Sequence, residues 1–290
     1  FDKTTEIGIV EMGANHKKEI EFLCEIAQPD YGYVTNFGKA HLEGFGGVEG
    51  VVEGKSEMYQ YLLQHDKLAF INLEDPIQVE KAKVLKHYSF GVNRENANVV
   101  ISEINANPFV EVSFDSIQIK THLIGLYNAN NVNAALTIGK FFEVKDEAIK
   151  TALESYVPEN NRSQLLIKGG NGIILDAYNA NPSSMAVAIT NFLQLEKSNK
   201  IMVLGDMFEL GEESHAEHIA LVESLNNEVD VQCYFVGKAF FDCQIKKPNF
   251  YFYDSFDSFS ASLQGVGFQN STILIKGSRG MSLERTLDFI

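Results

Sequence analysis

The chain has 290 residues, 45% of them hydrophobic, and its 24 Lys and Arg against 39 Asp and Glu leave a net charge of −15. That acidic balance argues against a nucleic-acid or anionic-membrane partner, both of which require a basic face. No apolar run approaches the roughly 20 residues of a bilayer span, and the length suits two globular domains with sizeable cores.

The opening Phe-Asp-Lys-Thr-Thr-Glu has neither a methionine nor an apolar signal core, so the chain is expected to begin inside a domain. "EIGIVEMG" then predicts a strand, followed by a helix over 17–27, a strand in "YGYVTNFG", a helix over 48–64 and a strand in "KLAFINLED". Strands alternating with helices imply a parallel sheet with right-handed crossovers. From 88 to 124 the texture changes to "YSFG", "NVVISEI", "FVEVSF" and "IQIKTHLIG", short segments of period-two alternation that predict a small antiparallel insertion. Two helices, "NANNVNAALTIGKFF" and "KDEAIKTALESY", close the first part.

A boundary is placed near "VPENN", giving domains 1–158 and 159–290. The β/α rhythm then restarts with "SQLLIKGGNGIILDAY", a helix over 182–196, "NKIMVLGDM", a helix over 214–227, "DVQCYFVG", a helix over 255–263, and "STILIKGS". Within it "KGGNG" joins two apolar runs and reads as a hairpin turn rather than a phosphate loop. Cys24, Cys233 and Cys243 are too few and too scattered for a disulfide framework, which points to a reducing compartment.

Ligands of open α/β sheets bind beyond the carboxyl ends of the strands, so those ends hold the candidates. Glu11 follows the first strand, and Asn36, His41 and Glu43 lie in the glycine-rich loop after the second. A carboxylate, an imidazole and flexible glycines could hold a hard cation such as Mg²⁺; equally, Glu11 could cap a helix and His41 be a plain loop residue. Lys55, early in an amphipathic helix, reads from pattern alone as solvent-exposed. Asn128 and Asn131, three apart at a helix start, could read an adenine edge or act as caps. Arg162, beside the boundary, is placed to bind phosphate.

In "LDAYNANPSSM" the helix start accounts for Asn181 as N-cap and Pro182 in the first turn, but leaves Asp176 and Asn179 unexplained. Asp206, Lys276, Ser278 and Arg279 end later strands. His215 and His218 have a metal-like spacing but no third ligand, which disfavours a metal there. No G-x-x-x-x-G-K-[ST], G-x-S-x-G or H-E-x-x-H occurs.

Taken in order, "EMGANHKKEI", "TNFGKAHLEGFGGVEGVVEGKSEMY", "GLYNANNVNAA", "NNRSQ", "LDAYNANPSSM", "VLGDMFELG" and "LIKGSRGM" resemble the Mur ligases through almost the whole chain, and "LDAYNANPSSM" with "LGDMFELG" resembles the branch that adds D-alanyl-D-alanine. The resemblance implies a P-loop-type central ATPase domain, truncated at its N-terminus and lacking the phosphate loop, followed by a Rossmann-like α/β C-terminal domain. It implies ATP-driven amide formation on UDP-N-acetylmuramoyl-tripeptide through an acyl phosphate, in the bacterial cytoplasm, by a monomer; the fragment alone is expected to be inactive.

It further implies that Glu11, His41 and Lys55 are catalytic and serve two Mg²⁺ ions, Lys55 as a carbamate, which reverses the exposed reading of that lysine. Asn128 and Asn131 would take the adenine side, with Tyr127 where relatives often carry histidine. Arg162 would reach the phosphates, Asp176 the ribose and Asn179 the nucleotide beside it, while Lys276 and Arg279 are candidates for the dipeptide carboxylate. Two other readings are a non-catalytic dipeptide- or nucleotide-binding module, and another Mur or folylpolyglutamate-type ligase, against which "DAYNANP" argues.

Overall fold

A computed structural model describes residues 2–39, 41–159, 161–264 and 267–290. Twelve strands form two six-stranded sheets among these residues. The first sheet uses β1 (Tyr31–Tyr33), β2 (Leu68–Asn72), β3 (Lys86–Val92), β4 (Val99–Ala106), β5 (Phe109–Phe114) and β6 (Ile117–Ile124), in that spatial order. Pairing is parallel from β1 to β4 and antiparallel from β4 to β6.

The antiparallel segment is therefore not a separate insertion. It continues the parallel sheet, and "YSFG" belongs to β3, a parallel strand, with Phe90 opposite Val99 of β4. The period-two signal reported the one-sided burial of β5 and β6 correctly, whereas Ser89, Phe90 and Gly91 of β3 are all buried, and burial pattern does not say which strand lies alongside.

Helices α1 (Glu19–Ala27), α2 (Leu42–Phe45), α3 (Val48–Gln64), α4 (Pro76–Lys81), α5 (Tyr127–Phe141) and α6 (Asp146–Ser155) complete the first unit. Tyr59 and Leu62 of α3 pack with Ala69 and Ile71 on one sheet face. Val132 and Leu136 of α5 and Ile149 of α6 cover Phe90, Ile101, Val112 and Phe114 on the other.

The strand predicted in "EIGIVEMG" is absent. Residues 7–14 are without regular structure, and Ile7 and Ile9 are 60% and 90% exposed. An apolar run becomes a strand only where a neighbour takes up its backbone hydrogen bonds, and none of the described strands does so here.

The second sheet has the order β11–β10–β9–β12–β8–β7, from β7 (Gln164–Lys168), β8 (Asn171–Asp176), β9 (Lys200–Gly205), β10 (Val231–Val236), β11 (Phe250–Tyr253) and β12 (Thr272–Lys276). All neighbours are parallel except the β7–β8 hairpin, whose turn is Gly169-Gly170 at φ 57° and 81°. Two consecutive positive φ values favour glycine, with Asn or Asp tolerated at the first, which is why "KGGNG" turns.

The central strands β8, β9, β10 and β12 are apolar on both faces because both are covered, whereas edge strand β7 leaves Leu165 and Ile167 exposed. Met202 and Leu204 of β9 face α7 (Pro182–Gln194) and α8 (Ser214–Ser224), while Ile201 and Val203 face α10 (Phe256–Leu263) and the 3₁₀ helix Leu283–Phe289. A short α9 (Lys238–Phe241) follows β10.

Candidate active site

The strand ends of the second sheet and the glycine-rich loop of the first unit meet in two neighbouring clusters. The first forms around the loop after β1. Lys55, on α3, donates from Nζ to the backbone oxygen of Asn36 at 2.8 Å and lies 3.5 Å from its side-chain Oδ1. No carboxylate accompanies it among the described residues, so burial alone acts on the ammonium and pulls its pKa below the usual lysine value. The exposed reading of Lys55 is thus overturned: Gly50, Val51 and Gly54, buried on the preceding turn, show that this side of α3 faces inward.

The same loop docks on the second unit. The Lys39 backbone amide donates to Ser183 Oγ at 3.1 Å, and its ammonium pairs with Glu217 of α8 at 2.6 Å, which raises its pKa. His41, at φ 54°, sets Nδ1 against the Glu209 carboxylate without the angles of a hydrogen bond. The Glu43 amide reaches the Glu209 carbonyl at 3.4 Å, and Leu42 and Phe45 join the apolar cluster of Met207 and Leu210. Sequence reading missed Lys39, Ser183, Glu209 and Glu217; Lys39 and its partners Ser183 and Glu217 lie about 140 to 180 residues apart, and spacing carries no signal over that distance.

Glu11 is not part of this cluster. It lies exposed in the irregular 7–14 segment and makes no hydrogen bond or ion pair among the described residues, so it neither caps a helix nor joins His41 and Lys55. Among the described residues no group of three His, Cys, Asp or Glu is gathered for a metal. Glu11, His41 and Lys55 make no hydrogen bond or ion pair with one another among the described residues. Both ring nitrogens of fully buried His218 are engaged within the protein: Nε2 accepts from the Met207 amide at 3.0 Å and Nδ1 turns to the Ser214 carbonyl at 2.6 Å, which fixes a neutral tautomer.

The second cluster centres on Asp176, at the end of β8. Its Oδ1 accepts from Ser163 N at 3.0 Å and Ser163 Oγ at 3.4 Å, and its Oδ2 accepts from Lys276 Nζ at 2.6 Å. Lys276, at 2% exposure, also donates to the Asn179 carbonyl at 3.3 Å. This corrects the reading of Lys276 as a cation open to a dipeptide carboxylate: β12 is a central strand, so its terminal side chain is enclosed and already paired. Arg279 is exposed and pairs with Glu284 at 3.1 Å.

Asn128 is buried and donates to the Ile124 carbonyl at 2.8 Å, accepting from Asn131 Nδ2 at 3.1 Å. Neither asparagine caps α5, whose N-cap position is Leu126. Exposed Asn131 keeps its own amide oxygen free of protein donors among the described residues. The Arg162 guanidinium lies over the Tyr178 ring at 3.9 Å, an exposed plate beside Asp176 that the sequence reading did not anticipate. Asn179 is exposed and turns its Oδ1 to the Ala180 amide at 2.8 Å.

One stretch ties the clusters together. Asp176 belongs to the second, and seven residues on, Ser183 receives the loop of the first. Between them Asn181 forms a reciprocal capping box with Ser184, with Pro182 at the start of α7. Asn181→Ala is expected to cost about 1 kcal/mol, read as a lower urea midpoint at unchanged slope. Asp206 is likewise a cap, accepting from the Ala239 and Phe240 amides at 3.0 Å each, and Ser278 Oγ accepts from the Phe208 amide at 2.9 Å.

The sequence matches the Mur ligase middle domain over residues 1–139 and the Mur ligase, glutamate ligase domain over 161–279. It is 28% identical over 300 residues to the UDP-N-acetylmuramoyl-tripeptide–D-alanyl-D-alanine ligase of Rickettsia prowazekii (strain Madrid E), covering 98% of this chain and 66% of that protein. The crystal structure of MurF from Acinetobacter baumannii superposes with a TM-score of 0.83 at 29% identity, over 95% of this chain and 62% of that one. MurF ligase from Thermotoga maritima in complex with ADP gives 0.80 at 26% identity, over 96% and 65%. The chain thus spans just under two thirds of the length of these relatives.

Proposed function

This chain belongs to the Mur ligase family, and we propose that it carries the catalytic centre of an ATP-dependent ligase that joins D-alanyl-D-alanine to UDP-N-acetylmuramoyl-tripeptide. The observation that carries the reading is the convergence of the loop after β1, α3 and the 176–184 stretch on one junction between the two sheets. The names of the similar ligases support the substrates, and the ADP complex of the Thermotoga protein supports the nucleotide. The domains are 1–158 and 159–290.

The tripeptide carboxylate oxygen attacks the γ-phosphorus of ATP, forming an acyl phosphate and releasing ADP. The dipeptide amine then attacks the acyl carbon, inorganic phosphate leaves, and the amine loses a proton. Asn131 and Asn128 serve the adenine side and Asp176 the ribose. Arg162, steadied on Tyr178, reaches the phosphates, with Asn179 beside them. Arg279, exposed at the end of β12, is the candidate for the dipeptide carboxylate. Docking of the loop on α7 and α8 shields the acyl phosphate from water.

Lys55 and His41 act at the phosphate end. The depressed pKa and enclosure of Lys55 support a carbamate, since only a neutral amine adds CO₂. Magnesium bound with ATP would screen the triphosphate charge, and no coordination is assigned to Glu11. The enzyme acts as a cytoplasmic monomer; among the described residues no helix is long and apolar enough to cross a membrane.

Phosphate release by the full-length protein with ATP and UDP-tripeptide tests the proposal. D-alanyl-D-alanine should stimulate it, whereas glutamate and single amino acids should not. Stimulation by glutamate in place of the dipeptide would overturn the assignment.

A further inference from the structure

Tyr127 has no part in that chemistry, yet among the described residues it is the one side chain of the first unit that reaches the Asp176 cluster through hydroxyl contacts. It opens α5, one residue before Asn128, and its Oη sits in hydrogen-bond contact with Ser163 Oγ. The hydroxyl of Ser163 has Asp176 Oδ1 on its other side at 3.4 Å. An ionised carboxylate only accepts, so Ser163 donates to Asp176 and Tyr127 must donate to Ser163. The relay therefore runs one way, Tyr127 O–H to Ser163 O–H to Asp176, and it requires a neutral phenol. Burial and the charge of Asp176 both push the phenol pKa upward, which keeps it neutral.

Both ends are built for it. Gly125, at φ 86°, lets the Tyr127 ring lie over the backbone, where an added Cβ would stand 2.6 Å from Cε1. Ser163 is 4% exposed and held at φ 50°, a left-handed conformation uncommon for serine, with its own amide also spent on Asp176. Asp176 has about four acceptor positions, and Ser163 N, Ser163 Oγ and Lys276 Nζ fill three. One remains, on Oδ2, for a ligand hydroxyl.

We infer that Tyr127 is a positioning residue that fixes the distance between the adenine-side asparagines of α5 and the ribose-side carboxylate of Asp176, so that a ribonucleotide fits across the junction. The inference rests on the nucleotide reading above. It makes the ribose hydroxyls the part of the ligand that feels Tyr127.

The test compares ATP with 2′,3′-dideoxy-ATP on the full-length protein and on Tyr127→Phe, Ser163→Ala and the double variant. Wild type should prefer ATP by about 10-fold or more, the size of one hydrogen bond to a charged acceptor. Tyr127→Phe should weaken ATP about 3- to 10-fold, leave the dideoxy analogue nearly unchanged, and so compress the preference. The double variant should be no worse than Ser163→Ala alone, because one relay is broken in both. Equal weakening of both nucleotides, unchanged ATP binding, or multiplying effects in the double variant would each overturn the role of Tyr127. Wild-type protein that binds both nucleotides equally would overturn the ribose role of Asp176 itself, and Tyr127 with it.

Discussion

Lys55→Ala is expected to abolish turnover, by about 10³-fold or more, and added bicarbonate is expected not to restore it. In the proposed carbamate the Lys55 ammonium would first lose one proton, and the neutral amine would then add CO₂ and lose a second, turning a cation into an anion at the phosphate end of the site. Alanine offers no nitrogen for that step, so more CO₂ cannot help. Lys55→Arg should be equally inactive, although it keeps the positive charge. The reaction draws on the neutral amine, which burial favours, and the two acceptors near Nζ, the Asn36 backbone and side-chain oxygens, are uncharged and tolerate either form. A carbamate carbon resonance from ¹³CO₂-equilibrated protein, lost in Lys55→Ala, provides a readout independent of activity. Full activity in Lys55→Ala would sink the carbamate.

The same depressed pKa has a stability consequence of definite sign. Between its lowered native value and the ordinary lysine value near 10.5, the unfolded chain holds a proton that the native chain lacks. Stability contributed by this group therefore rises with pH through that window, and the penalty is present in full below it.

The second large effect concerns Lys276. Lys276→Met should destabilise the second unit by about 3–5 kcal/mol, because it leaves the Asp176 carboxylate enclosed without its cation. A plain loss of surface charge would cost less than about 1 kcal/mol. The two side chains are 3% and 14% exposed, so the buried case applies. Thermal or urea unfolding measures the loss, and Asp176→Asn added to Lys276→Met should return a substantial part of it by removing the stranded charge. A loss below 1 kcal/mol would mean that water reaches the pair. Had Lys276 been an open receptor for the dipeptide, its replacement would instead weaken dipeptide binding and leave unfolding unchanged.

The two-sheet architecture was largely readable because its rules are local. Strands such as "KIMVLG" and "TILIK" are continuously apolar, and the crossover helices begin on caps such as Asn181-Pro182. The hairpin at Gly169-Gly170 was readable for the same reason. Failures came where a partner distant in sequence decides the outcome. "IGIV" has strand composition but no neighbouring strand, and "YSFG" has a neighbour, β4, that only the folded sheet reveals.

The site divides in the same way. Asp176 and Asn179 stood out because the turn did not need their side chains. That Lys276 would neutralise Asp176 could not be read, because the two lie 100 residues apart and meet only through β8–β12 pairing. Lys55 was misjudged by pattern, since helical periodicity marks the apolar stripe and is silent about a lysine at its border. The family resemblance supplied that residue.

The docked loop also fixes how open this protein can be. Leu42, at 2% exposure, shares an apolar cluster with Met207 and Leu210 across the junction. Returning that side chain to water costs about 1.5–3 kcal/mol, which by that contact alone holds the separated form to roughly 1 to 8 per cent of the population. Ligands that need the separated form would meet only that minority, and their observed association rates would fall by the same factor. A polar substitution at Leu42 would trade shelter for access, quickening entry while letting water compete for the activated carboxyl group.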